Sequence, residues 1–222
     1  MLSCGNVGKT YSAERGDVQA VKCIDLDVPR GQFAAVVGRS GSGKSSLMAI
    51  IGGLSRPTRG TVLVADTDIW ALTNDRLAQF RNREIGFVFQ FASLLPTLRI
   101  IDNVALPALL GRSKETRAAY RTAADLLAQL GLARHFDAYP AEISAGEQRR
   151  AVIARALINA PSLLLADEPT SDLDEQTEIE IMDRFRELNR DRGMTLIMVT
   201  HNLRLAEQAD RVLHIAGGSL VS

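Results

Sequence analysis

The sequence predicts an α/β fold, a mostly parallel sheet with helices on both faces, interrupted by a helical insertion. Three observations point there. Short apolar runs at residues 33–37, 163–166 and 195–199 show no polar alternation, as strands buried on both faces require. Polar or glycine-rich turns and stretches of helical period lie between them. From residue 101 to about residue 160 the strand signal gives way to helical periodicity alone. With 222 residues, 46% of them hydrophobic, the chain can build one large domain with an ample core.

Taken in order, Ile24, Leu26 and Val28 alternate with Asp25 and Asp27, the period of a half-buried strand near a sheet edge. Residues 33–37 form a buried strand, followed by a glycine-rich turn and a helix over residues 47–51. A short strand at 61–64, a polar helix around 75–83 and a strand at 85–89 ending at Gln90 come next. Within the insertion Ala119, Ala123, Leu126, Leu127 and Leu130 share a helical face, and Gly131 is a C-terminal stop. After the strand at 163–166, Ile181, Phe185 and Leu188 make the core stripe of a helix ending near Gly193. The strand at 195–199 and a closing hairpin, 211–215 and 219–221 around Gly217-Gly218, complete the set. There is no internal repeat and no low-complexity linker.

Chemistry enters at Gly38-Arg39-Ser40-Gly41-Ser42-Gly43-Lys44-Ser45, which spells G-x-x-x-x-G-K-S between a strand and a helix. Glycines let backbone N–H groups converge on an anion, the helix start adds its positive dipole end, and Lys44 supplies a full charge. The Ser45 hydroxyl is placed to ligate a magnesium ion bridging terminal phosphates, and Ser46 extends the binding segment. This pattern in this context predicts a bound nucleoside triphosphate. Next, Leu163-Leu164-Leu165-Ala166-Asp167-Glu168-Pro169 ends a buried strand in two carboxylates at the carboxyl edge of the sheet. Strand alternation points the two apart, so Asp167 suits the magnesium shell and Glu168 suits polarising a water aimed at the γ-phosphate. Finally, Ser144-Ala145-Gly146 opens an apolar helix, a start that reads either as an anion-binding N-terminus or as a plain helix cap.

Bulk properties exclude other classes. The 26 basic and 26 acidic residues cancel, leaving no electrostatic footprint for nucleic acid. Cys4 and Cys23 match neither a disulfide framework nor a metal motif and read as ordinary cytosolic thiols. The N-terminus has no signal-peptide pattern, and no apolar run approaches the roughly 18 residues a membrane span needs. Any work at a membrane is expected to pass through a partner.

Six motifs in order now resemble a known family. The phosphate loop, Gln90 after a strand, residues 143–148 before a helix, Asp167-Glu168, Ser171-Asp172-Leu173-Asp174 and His201 after a strand follow the order of ABC-transporter nucleotide-binding subunits. The resemblance runs from Tyr11 to Ser222. It implies a P-loop NTPase (RecA-like) core with a mostly parallel sheet, an antiparallel β subdomain and a helical insertion. Residues 1–222 would form a single ATP-binding domain, with 1–90 and 160–222 as core and β subdomain and 91–159 as the helical part carrying the signature segment. It also implies that two such subunits sandwich two ATPs, each held by the phosphate loop of one and the signature segment of the other. Ser144 and Gly146 would then serve the partner's ATP. Tyr11 would stack on adenine, Gln90 would ligate magnesium and report the γ-phosphate to a membrane permease, Glu168 would be the catalytic base, and His201 would hold γ-phosphate and water. Asp174 would combine an N-cap with an intersubunit role, while His135 and His214 read as structural.

Two departures stand out. Ala145 occupies a usual glycine position, and a methyl there is expected to shift the backbone if the site needs a positive φ. Asp172 adds charge at the expected dimer seam. Residues 80–107, with Phe80-Arg81, Gln90, Leu94-Leu95-Pro96 and Asp102-Asn103-Val104, resemble the lipoprotein-releasing, macrolide-export and cell-division ATPase group. This implies an ATPase driving a permease that exports or extracts its substrate, peripheral to the cytoplasmic face of the inner membrane. Residues 91–98, with Phe91, Leu94, Leu95 and Leu98, are expected to form the partner surface or to pack inside the insertion. An importer subunit, which commonly carries a C-terminal regulatory domain for which this chain ends too soon, and an ATP-gated cell-division scaffold with slow hydrolysis are the alternatives. DNA-maintenance and translation ATPases would need a coiled coil, zinc-binding cysteines or tandem cassettes, none of which is visible.

Overall fold

The computed structural model describes residues 1–12, 16–111, 115–171 and 173–221. Asp172, singled out above, lies outside the described residues. In chain order the elements are β1 (Leu2–Tyr11), β2 (Val18–Val28), β3 (Phe33–Val37), α1 (Lys44–Ile51), β4 (Arg59–Val64), β5 (Thr67–Asp68), α2 (Asn74–Glu84) and β6 (Ile85–Val88). Then come α3 (Ile100–Leu110), α4 (Thr116–Gln129), a 3-10 turn (Pro140–Glu142) and α5 (Ala145–Leu157). The chain closes with β7 (Leu163–Asp167), α6 (Glu175–Arg192), β8 (Thr195–Val199), α7 (Leu203–Ala206), β9 (Arg211–Ala216) and β10 (Ser219–Val221).

A six-stranded sheet of order β10-β9-β3-β8-β7-β6 is parallel from β9 to β6, with β10 turned back as a hairpin. Its central strands are buried on both faces, and their residues alternate between two cores. Phe33, Ala35, Leu164, Ala166, Leu196 and Met198 face the core shared with α3, α4, α5 and α6. Ala34, Val36, Leu163, Leu165, Ile197 and Val199 face the core shared with α1 and a second sheet. This double burial is why these strands lack polar alternation.

The second sheet is antiparallel, of order β2-β1-β4-β5, and β2 is its edge. Ile24, Leu26 and Val28 are buried while Asp25 and Asp27 face outward, as the alternation predicts. The sequence reading missed β1. Gly5, Asn6 and Gly8 interrupt its period, Asn6 has φ 49°, and the register slips between Cys4 and Val7, so irregular pairing hides the strand from pattern analysis. Among the described residues the helical stretch resolves into three α-helices and the 3-10 turn. α4 closes as expected: Gly131 takes φ 74°, and the following Leu132 N–H donates back to Leu127 O at 2.8 Å. α3 is tied to the preceding loop by Asn103, fully buried, whose amide oxygen accepts from Leu95 N–H (2.7 Å) and whose NH2 donates to the carbonyls of Leu95, Leu98 and Arg99.

Candidate active site

The loop from Gly38 to Gly43 leaves β3 at its carboxyl end and feeds α1, so the N-terminus of that helix opens toward the crevice above the sheet. Two features hold the loop. Gly43 adopts φ 107°, and a Cβ there would collide with the Ala20 carbonyl oxygen of β2, so conformation and space both demand glycine. The closing hairpin clamps the loop from behind: Gly218 N–H donates to Ser42 O (2.9 Å), and Lys22 N–H donates to Gly218 O (2.7 Å). Lys44, almost buried, folds back so that its Nζ donates to the carbonyls of Gly38 (2.8 Å) and Arg39 (3.0 Å). Its positive head therefore spans the concave loop.

A cavity of about 530 Å³ lies over this loop, of a size ordinary for a ligand site. Tyr11, Ser40, Gly41, Ser42, Gly43, Lys44, Ser45, Ser46, Gln90, Asp167, Glu168 and His201 all line it, and so does Ala20. Three sheet segments distant in sequence thus converge with the loop. Gly38 and Arg39 sit behind it as acceptors for Lys44. Ser144 and Gly146 do not line it; they stand at the start of α5.

Asp167 ends β7 near the Ser45 hydroxyl. Burial pushes its carboxyl above the ordinary range, the Ser45 hydroxyl opposes that, the charge of Glu168 adds to the rise, and Lys44 counters it. A half-buried carboxylate near the Ser45 hydroxyl, in a cavity that Gln90 also lines, offers oxygen donors suited to a hard cation such as Mg²⁺. Glu168 leaves the strand with φ 45°, a left-handed conformation costing a side-chain-bearing residue about 1–2 kcal/mol. β7 ends at Asp167, so Glu168 stands outside the strand and its carboxylate is directed by this backbone turn. Hydrogen bonds hold it there: its N–H donates to Val199 O (2.9 Å), and its carbonyl accepts from Ser171 N–H (3.2 Å) and Ser171 Oγ (3.0 Å). Its Oε1 meets His201 Nδ1 at 2.9 Å. With Nδ1–H donating, the imidazole turns Nε2 to other partners, as an acceptor when neutral and as a donor when protonated.

Tyr11 ends β1 at the mouth of the cavity, with Lys9 Nζ 4.9 Å from its ring centroid. Hydrogen bonds with Ser55 and then Ser46 hold its phenol below the ordinary range, against an opposing effect of burial and with help from Lys9. It is thus coupled to the start of α1 through Ser46. Ser144 is the N-cap of α5, and its hydroxyl and Glu147 form a reciprocal capping box. Ala145 is the first residue of the helix and has no positive φ, so the expected backbone shift from a methyl here does not arise. Gly146 has a packing reason instead: a Cβ would press on the Thr177 methyl of α6 at 2.8 Å.

One residue that sequence reasoning missed is Arg149. It is 5% exposed on α5, and its guanidinium donates to the carbonyls of Phe89 and Gln90, both at 2.6 Å. Arg155, further along the helix, donates to Ser93 O (2.7 Å) and Ala92 O (3.4 Å). The segment carrying Gln90 is bound along α5. Residues 91–98 divide: Leu94 packs on the core, whereas Phe91 and Leu95 are exposed. Beside them a groove of about 480 Å³ is lined by Leu54, Phe87, Phe89, Leu106, Pro107 and Leu110, among others.

Comparison with known proteins now bears on this geometry. Residues 21–171 match the ABC transporter family. The lipoprotein-releasing system ATP-binding protein LolD of Syntrophotalea carbinolica is 44% identical, over 99% of this chain and 96% of that protein. The macrolide export ATP-binding/permease protein MacB of Rhodopirellula baltica is 43% identical over 98% of this chain, which spans 32% of that longer protein. A solved dimeric ATP-binding cassette bound to ADP and phosphate superposes with a TM-score of 0.93 at 35% identity, covering 100% of this chain and 97% of that one.

Proposed function

The chain belongs to the ABC transporter family, and from that membership we propose that two copies close around two ATPs to drive a permease that exports or extracts its substrate from a membrane. ATP binding and hydrolysis belong to the family itself; the remainder is our reading of this chain. The observation that carries it is the convergence of the phosphate loop, Gln90, Asp167, Glu168 and His201 around one cavity. In this reading loop N–H groups, the α1 dipole and Lys44 cradle the phosphates. Glu168 accepts a proton from the attacking water, and His201, oriented through Nδ1, faces the γ-phosphate. Tyr11 packs against adenine. Ser45, Asp167 and Gln90 would hold Mg²⁺, which supplies charge neutralisation between the terminal phosphates when bound.

Ser144 and Gly146 lie away from the cavity at a helix start, the position from which they reach a nucleotide held by a second copy. The dimeric state of the similar solved cassette supports this arrangement. Residues 1–90 and 160–222 act as the nucleotide-binding core, and 91–159 as the helical part that carries the signature start. Among the described residues no helix is long and apolar enough to cross a membrane. In this reading membrane contact passes through the permease, docked on the groove between Leu54, Phe89 and Leu110 and on the exposed Phe91 and Leu95, at the cytoplasmic face of the cell membrane. The similar proteins named for lipoprotein release and macrolide export favour export or extraction over import.

The test is reconstitution of the purified chain in proteoliposomes with a permease of the lipoprotein-releasing type. ATP-dependent release of a lipidated protein to an acceptor, lost in Lys44→Ala, is the expected result. Robust ATP hydrolysis with inward uptake of a small solute would overturn the export reading.

A further inference from the structure

His135 was read from sequence as a structural residue, yet it meets the signature start through a single carboxylate. Ser144 N–H and Ser144 Oγ–H both donate to Oε2 of Glu147, at 2.8 and 2.7 Å, and Glu147 N–H donates back to Ser144 Oγ at 3.3 Å. The other oxygen, Oε1, lies 3.1 Å from His135 Nε2. We propose that His135 is a positioning residue for Ser144: through Glu147 it sets whether the serine hydroxyl stays in its own helix cap or is released to the nucleotide of a second subunit. The proposal rests on the two-subunit sandwich proposed above.

A serine hydroxyl has one proton to donate. While that proton is given to Glu147, the hydroxyl cannot donate to a phosphate oxygen. The Glu147 charge also stands beside the place a triphosphate must approach, and like charges oppose closure. Hydrogen bonds from the Ser144 hydroxyl and then its N–H hold the Glu147 carboxyl below its ordinary range, with smaller help from His135 and Arg150. An imidazolium at Nε2 weakens both obstacles: it cancels much of the carboxylate charge and competes with the hydroxyl for the carboxylate's electron density.

Other charged groups stand nearby. On α5 Arg150 influences Glu147 while its guanidinium reaches Glu180 of α6 at 3.4 Å. On the loop carrying His135, Arg134 precedes it, and Asp137 pairs with Arg99 at 2.7 Å. Glu142, in the 3-10 turn, accepts from Tyr139 N–H at 2.6 Å. Histidine is the side chain whose charge changes between pH 5 and 8. Protonation at His135 therefore favours closure, and the effect fades as pH rises.

Sedimentation equilibrium with ATP, in the full chain carrying Glu168→Gln, tests this at pH 6 and pH 8. The parent is expected to dimerise about three- to fivefold more tightly at pH 6 than His135→Gln shows over the same interval, the scale of a half-exposed ion pair. His135→Gln keeps a neutral donor and should show only the background slope of the nucleotide and the rest of the protein. His135→Arg, permanently charged, should dimerise tightly at both pH values with that same background slope. Equal slopes in all three proteins, or an equal weakening of both variants at both pH values, would overturn the role and leave His135 structural. Failure of every protein to dimerise with ATP, while each still binds it as a monomer, would instead refute the sandwich itself. The two failures are thus distinct.

Discussion

Glu168→Gln exchanges one carboxylate oxygen for an NH2 group at nearly constant volume, and the structure allows its consequences to be separated. The contacts that hold the left-handed backbone at this position run through the main chain to Val199 and Ser171 and do not use the carboxylate. An amide oxygen can still accept from His201 Nδ1, so the imidazole keeps its orientation. His201 is largely exposed, so the loss of charge in that pair should cost less than about 1 kcal/mol of stability. Lys44, Ser45 and Asp167 are untouched, and ATP affinity should stay within about twofold, a shift under roughly 0.5 kcal/mol.

Hydrolysis is different, because the amide has no basic lone pair to take a proton from water. A positioned general base contributes about 10²–10⁴ in rate, or about 3–5.5 kcal/mol in the barrier. Single-turnover phosphate release, read beside a nucleotide-binding titration, should show that loss with binding preserved. The same variant should elute from a sizing column as an ATP-trapped dimer, since closure no longer ends in hydrolysis. Wild-type turnover would refute the assignment of Glu168 as the base. Loss of ATP binding would show that the carboxylate belongs to the phosphate cradle instead.

Further outcomes follow from the geometry. Ala145→Asp should abolish ATP-dependent dimerisation in the Glu168→Gln background, seen by analytical ultracentrifugation; because an acid in the first turn of α5 suits the helix dipole, thermal stability of the monomer should not fall. Ala145→Gly should leave monomer affinity within about twofold and dimerisation equal or slightly stronger, the gain coming from lost bulk alone because no positive φ is required. Leu95→Glu, on an exposed position, should leave folding and nucleotide binding intact while halving or abolishing permease-stimulated ATPase, whereas Leu94→Glu should destabilise the chain by placing a charge against the core. Arg149→Met should lower stability by about 2–3 kcal/mol in chemical denaturation, because two carbonyl oxygens lose a charged donor, and should cut permease-stimulated turnover more than ATP binding.

The contrast between Lys44 and Arg149 shows what a sequence can disclose about such a site. A phosphate cradle needs consecutive backbone N–H groups at a helix start, so Gly38 to Ser45 must be contiguous and their spelling is visible. Asp167-Glu168 is visible for the same reason, although the left-handed backbone at Glu168 is a tertiary feature with no local signal. Arg149 works by reaching carbonyls some sixty positions earlier, and a carbonyl acceptor has no residue identity to read. The groove beside Phe91 is illegible likewise, since Leu54, Phe87 and Leu110 come from three segments that only folding joins. At Ala145 a family pattern suggested a backbone demand that the helical start does not make.

The hidden contacts also decide how the visible ones can act together. Arg149 and Arg155 bind the backbone at Phe89, Gln90, Ala92 and Ser93, so this segment is anchored to α5 at both ends. Gln90 lines the nucleotide cavity, and Ser144 caps that same helix. A displacement of Gln90 by nucleotide therefore cannot be absorbed in a slack loop, because four carbonyl contacts oppose slip against the helix. In the proposed reading a displacement of Gln90 is passed to α5, the helix that Ser144 caps. The Arg149→Met variant tests this proposal: permease stimulation that survives intact in it would show that the guanidinium carries none of the coupling.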